Sequence, residues 1–202
     1  MKDSIIKNFF EKKFGKKSVL ILEILFKKDL VNENILSKKT KIPINEIRSI
    51  LYELSSKGLV GFIRKKDKRK GWFIYFWFLK EEETLNKIKE EVIKEIDDYR
   101  NKLIQRQKER FYYCNTCKHE VGEEKALAEE FVCPECATLY DIVDNKKFIE
   151  EINRNILKRE KELLEVQKEI NIDKEKSLRE KLKKDKTKKI KKKINKKKKS
   201  KK

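Results

Sequence analysis

Four cysteines constrain this chain more than any other feature. They stand as Cys114-x2-Cys117 and Cys133-x2-Cys136, with fifteen residues between the pairs. Each pair offers two thiolates from one tight turn, and two such turns at that separation match a tetrahedral four-sulfur zinc site. Zn²⁺ bound there supplies folding energy that so small an apolar core lacks. The spacing also admits rubredoxin-type iron or disulfides. The opening residues, Met1 to Ser4, carry no apolar leader, so the chain reads as intracellular, where disulfides are rare. Phe111, Tyr112 and Tyr113 before the first pair, and Phe131 before the second, read as ribbon strands, with Leu139 to Val143 closing the sheet. His119 lies two residues past Cys117 and is expected as an exposed loop histidine, because four cysteines already complete the ligand set. Four thiolates leave no open coordination position, so the ion is structural.

One continuous core over all 202 residues is not expected. Charged residues make up 45% and hydrophobic residues 38%, against about 25% and about 45–50% in an average soluble domain. With 5 Gly and 2 Pro, the chain favours helices over a turn-rich all-β fold. No apolar run approaches the roughly 18 residues of a membrane span. One histidine, no Gly-rich phosphate loop and no nucleophile elbow leave no provision for enzyme chemistry. The net charge is +20, of which +14 falls on residues 181–202, where 15 Lys meet one Asp. That segment is expected to be disordered and drawn to polyanions in a salt-dependent way. Compositional drift in a lysine-rich proteome is the alternative.

The densest apolar patterning lies in residues 1–79. Ile5, Ile6, Phe9, Phe10 and Phe14 have helical spacing and stop at Gly15. A second helix around Val19 to Phe26 is apolar nearly all round and is expected to be buried. Asn32 or Asn34 can cap a short third helix, and after Pro43 the stripe Ile44, Ile47, Ile50, Leu51, Leu54 marks a fourth that ends at Gly58. Two strands then flank a charged turn from Lys65 to Gly71: Leu59 to Arg64, and Trp72 to Leu79. Helices followed by a hairpin with a basic tip describe a winged helix-turn-helix. The expected fold class is therefore mainly α with small β elements. It comprises a winged helix-turn-helix over residues 1–79, a charged linker helix over 80–110, a four-cysteine zinc ribbon over 111–145, a C-terminal helix over 146–176 and a disordered Lys-rich tail over 177–202. Stripes through Leu85, Ile88, Val92 and Ile96, and through Ile149, Ile152, Ile156 and Val166, would let the two long helices pair antiparallel or remain separately solvated.

Three surfaces bear on partners. Arg64, Lys65, Lys66, Lys68, Arg69 and Lys70 against Asp67 place +5 at the hairpin tip, suited to phosphates. The fourth helix offers Asn45, Arg48, Ser49, Tyr52, Ser55 and Ser56 with Glu46 and Glu53, a poor set for reading base edges. Strand Trp72–Leu79 is aromatic on both faces, so it is either covered on both sides or presents Phe73, Tyr75 and Trp77 as a partner surface or a platform for unpaired bases.

The segments Ser18–Phe26 and Ile47–Val60 (IRSILYELSSKGLV), the hairpin Arg64–Leu79 and the run FYYCNTC…FVCPEC from Phe111 to Cys136 stand in a distinctive order. A winged helix, charged helix and aromatic-led four-cysteine ribbon in that order resemble archaeal transcription factor E, the counterpart of the alpha subunit of general transcription factor IIE. The resemblance covers roughly residues 1–145. Ala137 stands where zinc ribbons commonly have glycine, and the helix after residue 146 and the lysine tail do not map onto it. The resemblance implies a non-enzymatic basal initiation factor that joins the TATA-binding protein, transcription factor B and RNA polymerase, touching the polymerase clamp and stalk. It implies stabilisation of melted promoter DNA, including the non-template strand, by a monomer in the cytoplasm near the nucleoid (or in the nucleus of a eukaryote). The DNA- or polymerase-contacting candidates are Arg64, Lys65, Lys66, Lys68, Arg69, Lys70, Trp72, Tyr75 and Trp77. Cys114, Cys117, Cys133 and Cys136 correspond to the zinc ligands. A sequence-specific winged-helix regulator with a zinc accessory module, and a scaffold whose ribbon and helices bind proteins while the tail alone holds nucleic acid, are the rival classes.

Overall fold

Helix-forming stripes punctuated by Gly15, Pro43 and Gly58 set the order of the N-terminal elements. The computed structural model describes residues 2–28, 30–66 and 71–199, with side chains to Arg179. It divides into two compact units, residues 1–89 with 165–202, and residues 90–164.

In the first unit, α1 (Lys2–Phe14) buries Ile6 and Phe10, one turn apart. It ends at Gly15, whose φ of 76° suits glycine and whose carbonyl accepts the Ser18 hydroxyl at 2.7 Å. In α2 (Lys16–Lys27), Ile21, Leu22 and Leu25 are buried while Leu20 is 45% exposed. The expectation of a helix buried all round is corrected to one buried face, since so small a unit has too little interior to surround a helix. Asn32, in the two-residue strand β1 (Val31–Asn32), caps α3 (Glu33–Thr40) by accepting the Ile35 amide at 2.8 Å. Pro43 precedes α4 (Ile44–Ser56), whose Ile47, Leu51 and Leu54 are fully buried. Beyond α4, the amides of Gly58 and Leu59 close on the carbonyls of Ser55 and Leu54 at 2.9 and 3.0 Å, with Gly58 at φ 75°.

The chain then turns to β2 (Val60–Lys66) and β3 (Phe73–Leu79), paired antiparallel from Val60↔Leu79 to Lys66↔Phe73. Lys65 and Lys66, expected in the turn, belong to the ladder. β1 pairs with the other edge of β3 through Val31↔Trp77, giving the order β1-β3-β2. Gly61 lies opposite Phe78, whose ring fills the space a Cβ would need, 2.5 Å from the nearest ring carbon. Helix α5 (Glu81–Lys108) opens on three glutamates and ends with Arg106 and Lys108, in accord with its dipole. Its stripe residues Leu85 and Ile88 are buried in this unit, as are Val166 and Ile170 of α7 (Asn145–Lys199). Lys2 ties the three helices together, bonding Asp173 at 2.8 Å and also Glu81.

In the second unit, β4 (Phe111–Tyr113) is the central strand of a sheet ordered β5-β4-β6, with β5 at Glu120–Gly122 and β6 at Asp141–Ile142. The fifteen residues between the cysteine pairs are more than a hairpin, for they hold β5 and α6 (Glu123–Ala128), with Ala126 buried. Phe131 is not in a strand. It takes φ 60° in a turn, and the strand-like bridge falls instead between Val132 and Leu139. The parts of α5 and α7 in this unit run antiparallel, joined by Arg159 to Glu95 at 2.8 Å and Arg100 to Glu160 at 3.0 Å. The Asn145 amide donates to the carbonyls of Arg106 and Glu109, both at 3.1 Å, so the start of α7 caps the end of α5. Ion pairs thus join these parts of the two long helices within one chain.

Most of the tail expected to be disordered lies outside the described side chains, which end at Arg179. No described helix is long and apolar enough to cross a membrane.

Candidate functional site

The two cysteine pairs form matching turns. The amides of Lys118 and Ala137 donate to the carbonyls of Cys114 and Cys133 at 2.9 and 2.8 Å, and both residues take the left-handed conformation, with φ 59° and 56°. The amides of Cys114 and Cys133 in turn reach the carbonyls of His119 and Thr138, both at 2.9 Å. Ala137 thus keeps the turn that glycine would adopt freely, at the cost of left-handed backbone strain.

These turns converge the four sulfurs. All lie within 4.8 Å of one another, with Cys114–Cys136 at 3.4 Å and Cys117–Cys133 at 3.9 Å. A disulfide requires about 2.05 Å, and all four cysteines are free. A zinc–sulfur bond of about 2.3 Å implies sulfur–sulfur edges of about 3.8 Å in a regular tetrahedron. The donor set therefore fits a tetrahedral ion. Its electrostatics point the same way. Hydrogen bonds from Thr138's side chain and backbone pull the Cys136 thiol down to about 6. The neighbouring Cys136 sulfur and burial push Cys117 far up. For Cys114, the Cys117 amide pulls down, but burial and the adjacent sulfurs outweigh it and raise the thiol. Thiolates this close ionise together only with a counter-charge, which a divalent cation supplies.

Two supports of this centre had no readable sequence signal. His119 is not a free loop residue. It is half-buried, stacked edge-on against Tyr140 with Nε2 3.2 Å from the hydroxyl, and Tyr140 donates to Glu129 at 2.8 Å. Burial first, and the Glu129 contact second, push the Tyr140 hydroxyl far up. Arg106 lies between the rings of Phe111 and Phe148, 4.0 and 4.7 Å from their centroids, and pairs with Glu120 at 2.5 Å. It clamps β4 and β5 to both long helices of this unit. In sequence it resembles any other charge on a solvated helix.

The second candidate surface is the β2–β3 hairpin. Arg64, Lys65 and Lys66 are exposed at its distal end. Arg64 lies over Phe73 at 4.9 Å and Lys65 over Phe76 at 5.3 Å, so cations and aromatics interleave. Trp72 is 71% exposed, Phe73 is 52% exposed and Tyr75 is partly covered. Lys68, Arg69 and Lys70 lie outside the described residues. Trp77 is corrected from contact candidate to core. It has no exposed surface, its ring packs on Tyr52 and Phe62, and its Nε1 donates to Glu33 at 3.3 Å. The aromatic strand is thus covered toward its base and open toward its tip.

Glu33 also accepts Arg48 Nε at 2.6 Å, which raises the pKa of the guanidinium. The single arginine of α4 is therefore held against α3 by this carboxylate. Beside it, Tyr52, Trp72, Phe73 and Tyr75 wall a cavity of about 510 Å³.

Comparison with known sequences agrees with this architecture. Residues 4–109 match the profile of the TFIIE alpha subunit family. The chain is 31% identical to transcription factor E of Thermococcus kodakarensis over 150 residues, covering 74% of this chain and 81% of the relative. It is likewise 31% identical to transcription factor E of Pyrococcus abyssi, covering 74% and 79%. Against the transcription factor E of Metallosphaera sedula, identity is 29% over 167 residues, covering 80% and 92%. A profile that spans more than half the chain, and relatives aligned over most of their own length, make this chain a member of the TFIIE alpha subunit family of transcription initiation factors.

Proposed function

We propose that this chain is a non-enzymatic basal initiation factor that binds RNA polymerase within the promoter complex and stabilises melted DNA. Residues 1–79 act as a winged helix-turn-helix with the β2–β3 hairpin as its wing. Residues 111–145 act as a ribbon that carries one structural Zn²⁺ on Cys114, Cys117, Cys133 and Cys136. Residues 80–110 join the two, and residues 146–176 and 177–202 are a C-terminal helix and a basic extension. Arg64, Lys65, Lys66, Lys68, Arg69 and Lys70, with Trp72 and Tyr75, form the surface toward DNA, the non-template strand included, or toward the polymerase. The polymerase clamp and stalk, the TATA-binding protein and transcription factor B are the expected partners. The factor acts as a monomer in the archaeal cytoplasm, at the nucleoid.

The observation that carries this reading is the division of labour in the first unit. Exposed cations and aromatics collect on the hairpin, while Arg48 of α4 is occupied by Glu33. A protein with little means of reading base edges depends on partners for recruitment, and its basic hairpin adds sequence-independent attraction to nearby DNA. The same pairing counts against a sequence-specific regulator, which needs free donors on its groove helix. Retention of RNA polymerase and basal factors on the immobilised chain tests the assignment. Polymerase is expected among the retained proteins at physiological salt, and its absence would overturn the reading.

A further inference from the structure

Four sulfurs complete the tetrahedron, yet a fifth donor borders it. His119 Nε2 lies 4.0 Å from Cys133 Sγ. The imidazole also clusters with Cys117 and Glu135, whose ligand atoms and its own lie within 4.8 Å of one another. Cys117 and Cys133 form one 3.9 Å edge of the sulfur tetrahedron, so the ring stands beside that edge. Its present partner is Tyr140, whose hydroxyl gives its one proton to Glu129 and therefore accepts from Nε2–H. With the proton so assigned, Nε2 donates to Tyr140 and offers no lone pair to a metal.

We propose that His119 is a reserve metal ligand, taking the vacated corner when the thiolate of Cys117 or Cys133 is unavailable and holding the ion with the three remaining sulfurs. The inference rests on the four cysteines being a metal site. In the exchange, the metal–sulfur bond at the missing cysteine is replaced by a metal–Nε2 bond. The imidazole stays neutral by carrying its proton on Nδ1, and the site loses one negative charge. Imidazole nitrogen is a native zinc donor, and three-cysteine, one-histidine sites share the tetrahedral geometry of four-cysteine ones. The unit would thus keep its ion after losing one of two particular sulfurs.

Cobalt(II) titration of the metal-free full-length chain, followed by visible and near-ultraviolet absorption, tests this. The wild-type chain is expected to give a tetrahedral spectrum with four thiolate contributions. A wild-type chain that binds no tetrahedral cobalt would overturn the underlying metal site itself. Cys133→Ala and Cys117→Ala are expected to stay tetrahedral with three thiolate contributions, and His119→Ala alone to keep the four-sulfur spectrum. Adding His119→Ala to either cysteine variant should weaken cobalt binding at least roughly tenfold to a hundredfold, the range that even outer-shell partners command. Equal affinity with and without His119, or loss of tetrahedral cobalt from both cysteine variants while the wild type retains it, would overturn the proposal. Should buried Cys133 prove indispensable for folding, half-buried Cys117 carries the comparison.

Discussion

Ala137 and Trp77 show how much a single side chain decides here. Ala137 holds φ 56° at the turn after Cys136, a conformation that costs an L-residue roughly 1–2 kcal/mol. Ala137→Gly is expected to stabilise the metal-loaded chain by up to about 1 kcal/mol in urea melts with an unchanged slope, glycine's extra unfolded-state freedom taking back the rest. A lowered midpoint would mean that the turn is not strained. Trp77→Ala should cost about 3–5 kcal/mol, because it opens a cavity among Tyr52 and Phe62 and leaves Glu33 without its indole donor. Trp72→Ala, on an exposed side chain, should stay within about 0.5 kcal/mol of the parent. Similar losses from both would contradict the assignment of one tryptophan to the core and the other to the surface. Sequence cannot make this distinction, because alternation tells faces apart only where one face is polar, and Phe73 to Leu79 is apolar throughout.

Among elements, legibility followed the strength of the local signal. Helix α4 could be read to its ends because Pro43, a clear stripe and Gly58 all mark it. The cysteine spacing likewise announced paired turns. By contrast, α6 spans six residues, too few for a period to show, and β1 spans two. Arg106 was invisible because its importance comes from two rings and a carboxylate brought together by the fold. Arg106→Ala is expected to lower stability by about 2 kcal/mol, from lost stacking and an unpaired Glu120. Lys2 supplies a pH test. Burial lowers its pKa, but the bonds to Asp173 and Glu81 outweigh that and raise it above 10.5. A raised cationic group stabilises fully below its unfolded value, so the stability lost in Lys2→Met should be constant across neutral pH and vanish as pH climbs through and beyond about 10.5. A difference that instead grew in strong alkali would contradict the ion pair.

For the whole molecule, charge and metal divide the work. Most of the +20 lies in residues 181–202, so it is no measure of the surface that carries the fold. An ion on the four sulfurs would hold together what the small cluster of Val121, Ala126 and Tyr140 could not hold alone. A strong chelator is expected to erase the amide dispersion of residues 111–143 while the core around Leu51 and Trp77 persists. On the proposed function, the hairpin contacts the open promoter complex better than the closed one, since a factor shifts an equilibrium only through its preference for one state. The most direct measurement is a permanganate footprint of promoter melting, taken with polymerase binding, for a chain in which Arg64, Lys65, Lys66, Lys68 and Arg69 are neutralised. Melting should fall while polymerase binding holds; equal loss of both, or undiminished melting, would contradict the account.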